Sequence, residues 1–428
     1  MEQRLWWEKQ DLEYRNNNLF FADLDVEEFA RKNGTPLFLY DTDKIKEKYS
    51  KLKETFLKYN EKSRIRFAIK ALSSKEILQE LKQAGCEYVD SNSIGEAQLA
   101  LQARYKPENI LYTETNISNE SLEKALELGI SINVDSISQL NRLHTIHPQA
   151  LEISIRWNPG KGTGEFPEII TAGKESHGVP VKFGIPESRL GEAYELAEKY
   201  NKRIIGLHQH IGSNLQGEKD LEIFLETVDS TIEVAKTIKQ KFGKIDFINF
   251  GGGIGIQYKQ EDEEFPLEDY AKELSEKIKK SNLNTFTEIE PGRYLTADAG
   301  IMILEVNTIE EKNQNLFIGV NGMFPRPFYY GSYHEIIPCE RTNKFEEAIV
   351  AGNYCETELD LLTTYENNGK RTYKRKLEIP NEGKHIALLC AGAYGFEMLP
   401  ILYNLKKIPR RFLIKNKEIQ EINFTLNK

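Results

Sequence analysis

The 428-residue chain has little sulfur and little tryptophan: four cysteines, four methionines and three tryptophans. No two of Cys86, Cys339, Cys355 and Cys390 form a CxxC pair. Four unpatterned cysteines in so long a chain argue against a disulfide framework and point to free thiols in a reducing compartment. The cytoplasm is therefore the expected location, and no metal is expected. No run of about 18 apolar residues occurs, so no membrane span is expected. The N-terminal stretch MEQRLWWEKQDLEYRNNN is charged and lacks an apolar h-region, so no secretory leader is expected. An excess of positive charge is also missing. With 57 Lys and Arg against 66 Asp and Glu, the net charge is −9, which argues against a nucleic-acid partner but not against a local basic pocket. A GxGxxG turn is lacking too: GGGIGI (251–256) has a different spacing and comes late in the chain.

What is there suits a soluble globular protein, 39% apolar and 29% charged, long enough for two domains. Eight β-rich runs recur between amphipathic segments: RIRFAIK (64–70), CEYVDS (86–91), NILYT (109–113), SINVDS (131–136), EISIRWN (152–158), IIGLHQHIG (204–212), DFINFGGG (246–253) and TFTEIEPG (285–292). Between them, SKEILQELKQAG (74–85) and NESLEKALELG (119–129) read as helices that end in a C-capping glycine. Such alternation predicts parallel βαβ units, and eight of them predict a TIM-like (β/α)8 barrel; a doubly wound sheet is the alternative. The last third differs. Segments 300–320, 345–352, 374–380 and 410–422 read as antiparallel strands, and TPLFLYD (35–41) reads as a strand that joins them. The expected fold is α/β plus β: a barrel with a C-terminal antiparallel β-domain that takes in the N-terminal strand.

In such a barrel chemistry sits at the C-terminal ends of the strands. Those ends carry Lys70, Asp90, Thr113, Asp135, Arg156, His210, Ser213, Gly251 to Gly253, Glu290 and Arg293. Singly, each has an ordinary reading: a snorkelling lysine, a satisfied core histidine, a turn. Jointly they form a parts list. A lysine at the end of the apolar run FAIKAL suits a Schiff-base amine. A histidine can stack on a ring. Glycines after the seventh strand let backbone N–H groups converge on a phosphate. A carboxylate before EPGR suits a pyridinium nitrogen. Together these point to pyridoxal 5′-phosphate.

With these residues in view, the sequence resembles the barrel-type pyridoxal-phosphate decarboxylases of basic amino acids, and among them the diaminopimelate decarboxylases. The likeness runs from about Pro36 to about Leu413. It rests on FAIKA, VDSNSIGEAQLA, RWNPG, KFGI, HQHIGSN, NFGGGIGI, EIEPGRYL, RPFYYGSYHEI, CET and CAGAYGF, in the family's order. The resemblance implies that Lys70 holds the cofactor, that His210 stacks on its ring, and that Ser213 and the backbone of Gly251, Gly252 and Gly253 take the phosphate with help from Tyr394. It implies that Glu290 faces the pyridine nitrogen, and that Arg293, Arg326 and Tyr330, with Tyr394 alongside, bind a distal carboxylate. It further implies a homodimer with shared sites, in which the partner's Cys355 is the proton donor and the partner's Glu356 reads the distal amine. Residues 42–296 would form the cofactor-binding barrel, and 1–41 with 297–428 a discontinuous domain completing the site. The implied reaction is conversion of meso-2,6-diaminopimelate to L-lysine and CO2.

Two segments depart from the family pattern. In GNYCETELD, Asn353 stands where proline is usual and Thr357 where serine is usual, and the following acid is Glu358 or Asp360. The stretch GKGTGEFPEIITAGKESHGVPVKFGI (160–185) carries extra residues. Three rivals follow. One is a sister decarboxylase for D-ornithine, D-lysine, carboxynorspermidine or a carrier-tethered glutamyl group. The second is an amino-acid racemase, which would place an arginine where Glu290 stands. The third is a non-catalytic carrier of the cofactor, which would lack the β-rich last third.

Overall fold

The structure, a computed structural model, describes residues 5–9, 11–164, 169–176, 178–325, 334–356, 360–362, 364–365 and 371–423. The chain divides into two compact units. One comprises Lys46–Ile256 and Glu263–Leu295, and the other Met1–Ile45, Gln257–Asp262 and Thr296–Lys428.

All eight runs predicted from the sequence are strands of the first unit: β1 (Ser63–Ala68), β2 (Tyr88–Ser91), β3 (Ile110–Tyr112), β4 (Ser131–Val134), β5 (Leu151–Asn158), β6 (Lys202–His208), β7 (Phe247–Asn249) and β8 (Phe286–Ile289). Each pairs in parallel with the next, and β8 returns to β1 through Ile289 beside Ile65, so the sheet closes. Serines set the helices between the strands. Ser74, Ser93, Ser118 and Ser136 each accept the backbone N–H three residues on, and so cap the helices Lys75–Gln83, Ile94–Gln102, Asn119–Glu127 and Ile137–Ile146. A capping serine satisfies an N–H that the helix itself leaves open. Gly85 and Gly129 follow two of these helices at φ +88° and +68°, a backbone region open to glycine but costly for residues with a Cβ.

Arg66 interrupts the apolar run of β1 for a reason visible only in three dimensions. Its guanidinium donates to both carboxylate oxygens of Glu288 on β8, at 2.9–3.1 Å, and to the carbonyls of Val89 and Asn109. Glu288 is fully buried. An ion pair buried this way offsets its desolvation only because the remaining donors are also satisfied. It fixes the register of β8 against β1, the two strands that lead to Glu290 and Lys70.

The second unit is built around Leu37–Asp41, buried at all five positions. That strand pairs antiparallel with Gly300–Lys312 and parallel with Arg410–Lys415, so the N-terminal strand does join the C-terminal strands. The sheet is mixed, because Asn315–Val320 also runs parallel to Phe345–Ala351. An antiparallel meander, Leu12–Arg15, Asn18–Phe21 and Leu24–Asp25, adds Leu12, Leu19 and Phe21 to the same apolar core. Its first turn places Asn16 and Asn17 at φ +50° and +70°, the two-residue hairpin turn that asparagine favours.

Candidate active site

The polar residues predicted at the strand ends gather at one mouth of the barrel. Lys70 lies in a single turn, Ile69–Ala71, just after β1, and is half-buried. Glu290 follows β8 and Asp90 sits on β2, opposite Ala68 of β1. Lys70 thus comes from the strand between those of two buried carboxylates.

Glu290 is held on every side. Asn249 Nδ2 donates to its Oε1 at 2.6 Å, and His208 Nε2 lies 3.3 Å from its Oε2. Burial alone would raise its pKa, but the nearby His208 and Lys70 outweigh burial and bring it down to about 2. Asp90 goes the other way. Burial and the neighbouring negative Glu290 raise it, against the opposing pull of Lys70. One Asp90 oxygen accepts from Asn92 Nδ2 at 2.8 Å, and the other has no partner among the described residues. Two carboxyl groups pushed apart in this way give the mouth one fixed negative charge and one group near its protonation point.

His210 is half-buried, and its Nδ1 is shut off from solvent with no partner among the described residues. Burial, followed by the positive charges of Lys70 and Arg156, drives its pKa well down, so it is a neutral ring. Ser213 Oγ accepts from Arg293 Nε at 3.2 Å, so these two residues, given different roles in the sequence reading, share a contact.

The glycines after β7 leave no room for side chains. A Cβ on Gly251 would stand 2.5 Å from the carbonyl oxygen of Gln209 and 2.8 Å from His210 Nδ1; on Gly253 it would meet the carbonyl oxygen of Gly212 at 2.7 Å. Gly251 and Gly253 also have φ of +72° and +109°. The loop is tied to the floor of the site, since Gly251 N donates to Asn249 Oδ1 and Glu290 N to the Gly251 carbonyl, both at 2.8 Å.

The remaining predicted residues belong to the second unit. Tyr394 is half-buried at φ +59°. Cys355 and Glu356 are exposed. Their turn is secured from below: Cys355 N donates to Asn404 Oδ1 at 2.9 Å, and Tyr403 Oη to Glu356 Oε1 at 2.8 Å. Asp360 is buried and accepts Tyr354 N at 2.7 Å. Arg326, Tyr330, Thr357 and Glu358 lie outside the described residues.

Comparison with known proteins adds to this geometry. Residues 42–297 match the pyridoxal binding domain of the pyridoxal-dependent decarboxylases. The chain belongs to that family. It is 35% identical to the diaminopimelate decarboxylase of Methanothermobacter thermautotrophicus, over 95% of this chain and 92% of the relative. A crystal structure of diaminopimelate decarboxylase from M. jannaschii with L-lysine is similar at a TM-score of 0.83 and 26% identity, covering 96% of this chain and 94% of that one. The Helicobacter pylori diaminopimelate decarboxylase with L-lysine matches at 0.77 and 31%, over 92% and 95%.

The cofactor of the family is pyridoxal phosphate, and the mouth suits it. A glycine loop that a Cβ would fill can bring N–H groups onto a phosphate. A buried, ionised Glu290 is the kind of partner a protonated pyridine nitrogen requires, and Lys70 is an amine at the same mouth. The neutral His210 carries no positive charge that would compete for Glu290. His208, Asn249 and Asp90 support this decarboxylase site without having been assigned a part in it from the sequence. For His208 a signal was present: in HQH it lies two residues before His210 at the end of a strand. Asn249 had no local signal.

No group of three or more His, Cys, Asp or Glu among the described residues could hold a metal ion. No disulfide joins any of the four cysteines. No described helix is long and apolar enough to cross a membrane.

Proposed function

We propose that this decarboxylase converts meso-2,6-diaminopimelate to L-lysine and CO2, as the last step of lysine biosynthesis. The observation that carries the decarboxylase reading is Glu290, buried, ionised and fixed by Asn249 and His208. A racemase of this barrel type would place an arginine there. The β-rich second unit speaks against a bare cofactor carrier. Similarity along nearly the whole length of diaminopimelate decarboxylases supports the substrate.

Bound pyridoxal phosphate supplies an electron sink for the charge left at Cα when CO2 departs. Lys70 Nζ would hold the cofactor. Glu290 keeps a proton on the ring nitrogen, which strengthens the sink. His210 presents its neutral ring to a face of the cofactor. Ser213 and the N–H groups of Gly251, Gly252 and Gly253 bind the phosphate, with the Tyr394 hydroxyl added. Arg293 and Arg326, with Tyr330 and Tyr394, grip the distal carboxylate, a group that ornithine, lysine and arginine lack; guanidinium suits it through paired hydrogen bonds.

The reading includes a cytoplasmic homodimer. The barrel domain (42–296) of one subunit receives the partner's Cys355, whose Sγ delivers a proton to Cα, and the partner's Glu356, which reads the distal amine. Residues 1–41 and 297–428 form the domain that presents them. Leu402 and Leu405 support this: they are 79% and 87% exposed, close in sequence to the Tyr403 and Asn404 that hold Cys355 and Glu356. Exposed leucines beside a reactive turn suit a covered surface.

The test is CO2 release from purified protein with added pyridoxal phosphate. The substrates are meso-diaminopimelate, L- and D-lysine, L- and D-ornithine, L-arginine and carboxynorspermidine. Selective turnover of diaminopimelate is expected. Preferred turnover of another amine would sink the assignment of Arg293, Arg326 and Glu356 while leaving the cofactor site intact.

A further inference from the structure

The extra residues between RWNPG and KFGI have no part in the reaction just described. Their first stretch, Gly160–Gly164, crosses the loop that carries His210 and Ser213. Contact is too close for side chains on either side. A Cβ on Gly162 would lie 2.6 Å from the Ile211 carbonyl oxygen, and one on Gly164 would lie 2.9 Å from that of Ser213; one on Gly212 would fall on the Thr163 carbonyl oxygen. Thr163 N and Thr171 N both donate to the Ile211 carbonyl, each at 3.3 Å. Thr171 Oγ1 donates to the His210 carbonyl at 2.9 Å. The loop is therefore held from outside by its carbonyl oxygens.

This strap is fastened at both sides. At the end of β5, Asn158 Oδ1 accepts Gly160 N and Gly173 N at 2.9 and 2.8 Å, and its Nδ2 donates to the carbonyls of Gly173 and Phe183. On the far side, Thr163 Oγ1 donates to Asp220 Oδ1 at 2.5 Å. Asp220 Oδ2 accepts Gln216 N at 2.8 Å, just before the helix Gly217–Phe242. Thr163 is 8% exposed, so its hydroxyl has little water to turn to if the bond is lost.

We propose that Thr163, latched to Asp220, is a positioning residue for the cofactor phosphate. It touches neither substrate nor cofactor. It holds the His210–Ser213 backbone ordered before the phosphate arrives, so binding does not bear the cost of ordering that loop. The proposal rests on the reading that Ser213 and Gly251–Gly253 take the phosphate.

The experiment compares two ligands of the full-length chain by their visible absorbance: pyridoxal phosphate, and pyridoxal, which lacks the phosphate. Thr163→Val weakens pyridoxal phosphate by about tenfold, roughly 1.4 kcal/mol, and leaves pyridoxal unchanged. Thr163→Ser, which keeps the hydroxyl, restores the wild-type ratio. Lys161→Ala, which removes an exposed ion pair with Glu226 on the same strap, changes neither affinity. Equal weakening of both ligands, or of neither, overturns the proposal. Should Thr163→Val fail to fold, Asp220→Ala removes the acceptor, breaks the latch from its other end and is judged by the same ratio. Ser213→Ala separates the two layers. If it does not discriminate between the ligands, the phosphate reading itself fails; if it does and the latch variant does not, only the latch fails.

Discussion

Glu290 and Glu356 are both acids assigned to this reaction, and the two regions that carry them differ in kind. At the barrel mouth Glu290 is 5% exposed, with both carboxylate oxygens bonded inside the same unit. In the β-rich unit Glu356 and Cys355 stand exposed on a turn held by Tyr403 and Asn404, which the exposed Leu402 and Leu405 flank in sequence. A buried charge needs its partners at once, because desolvation without them is prohibitive. An exposed acid bears no such cost and can wait for a covering surface. The barrel-mouth half of the proposed site is thus preorganised, whereas the turn of Cys355 and Glu356 is exposed.

The largest effect expected of this contrast is on the barrel itself. Arg66→Met strips buried Glu288 of its paired hydrogen bonds, leaving it only the longer contact with Arg64 at 3.4 Å, and destabilises the fold by about 3 kcal/mol, measurable as a lower urea midpoint. An unchanged midpoint would mean that the ion pair does not fix β1 against β8. Next comes Glu290→Gln. It removes the fixed charge at the barrel mouth and lowers turnover on the order of 10³-fold, with a changed cofactor spectrum; normal turnover would overturn the reading of Glu290 as the partner of the ring nitrogen.

Cys355→Ser breaks the outward half instead. Turnover falls by about 10²-fold, the lower range for a proton donor, while the cofactor band stays as in the wild type. Loss of that band would show that the two halves are not separable. The smallest effect concerns pH. Burial raises the Asp360 carboxyl to about 7, against the Tyr354 N–H bond and Lys406. A carboxyl raised in the folded state is most favourable below its unfolded value, about 3.9. Its contribution is lost as pH climbs toward 7. Stability should therefore decline from about pH 4 to 7, and Asp360→Asn should flatten that decline in thermal melts. A parallel decline in the variant would point to another group.

Much of the barrel was legible. Eight apolar runs, serine caps and terminal glycines are local signals, and each local preference agrees with the fold. Lys70, His210, Glu290 and the Gly251–Gly253 loop could be singled out because strand ends in this fold carry the chemistry. The meander Leu12–Asp25 has a weak local signature: Leu12 and Tyr14, Leu19 and Phe21 alternate around Asn16 and Asn17, but its strands are only two to four residues long. The parallel pairing of Asn315–Val320 with Phe345–Ala351 had no local signature, since direction depends on a distant return of the chain.

The sequence by itself determined the alternating strands and helices and the residue types that cofactor chemistry needs, because propensity, capping and composition act over a few residues. Only the tertiary structure decided that Asn249 and His208 fix Glu290, that Arg66 meets Glu288, and that Thr163 reaches Asp220. Those contacts join residues 41 to 222 positions apart, or more than a local pattern can encode. They are set by closure of the barrel, which brings strand ends together whatever their distance along the chain.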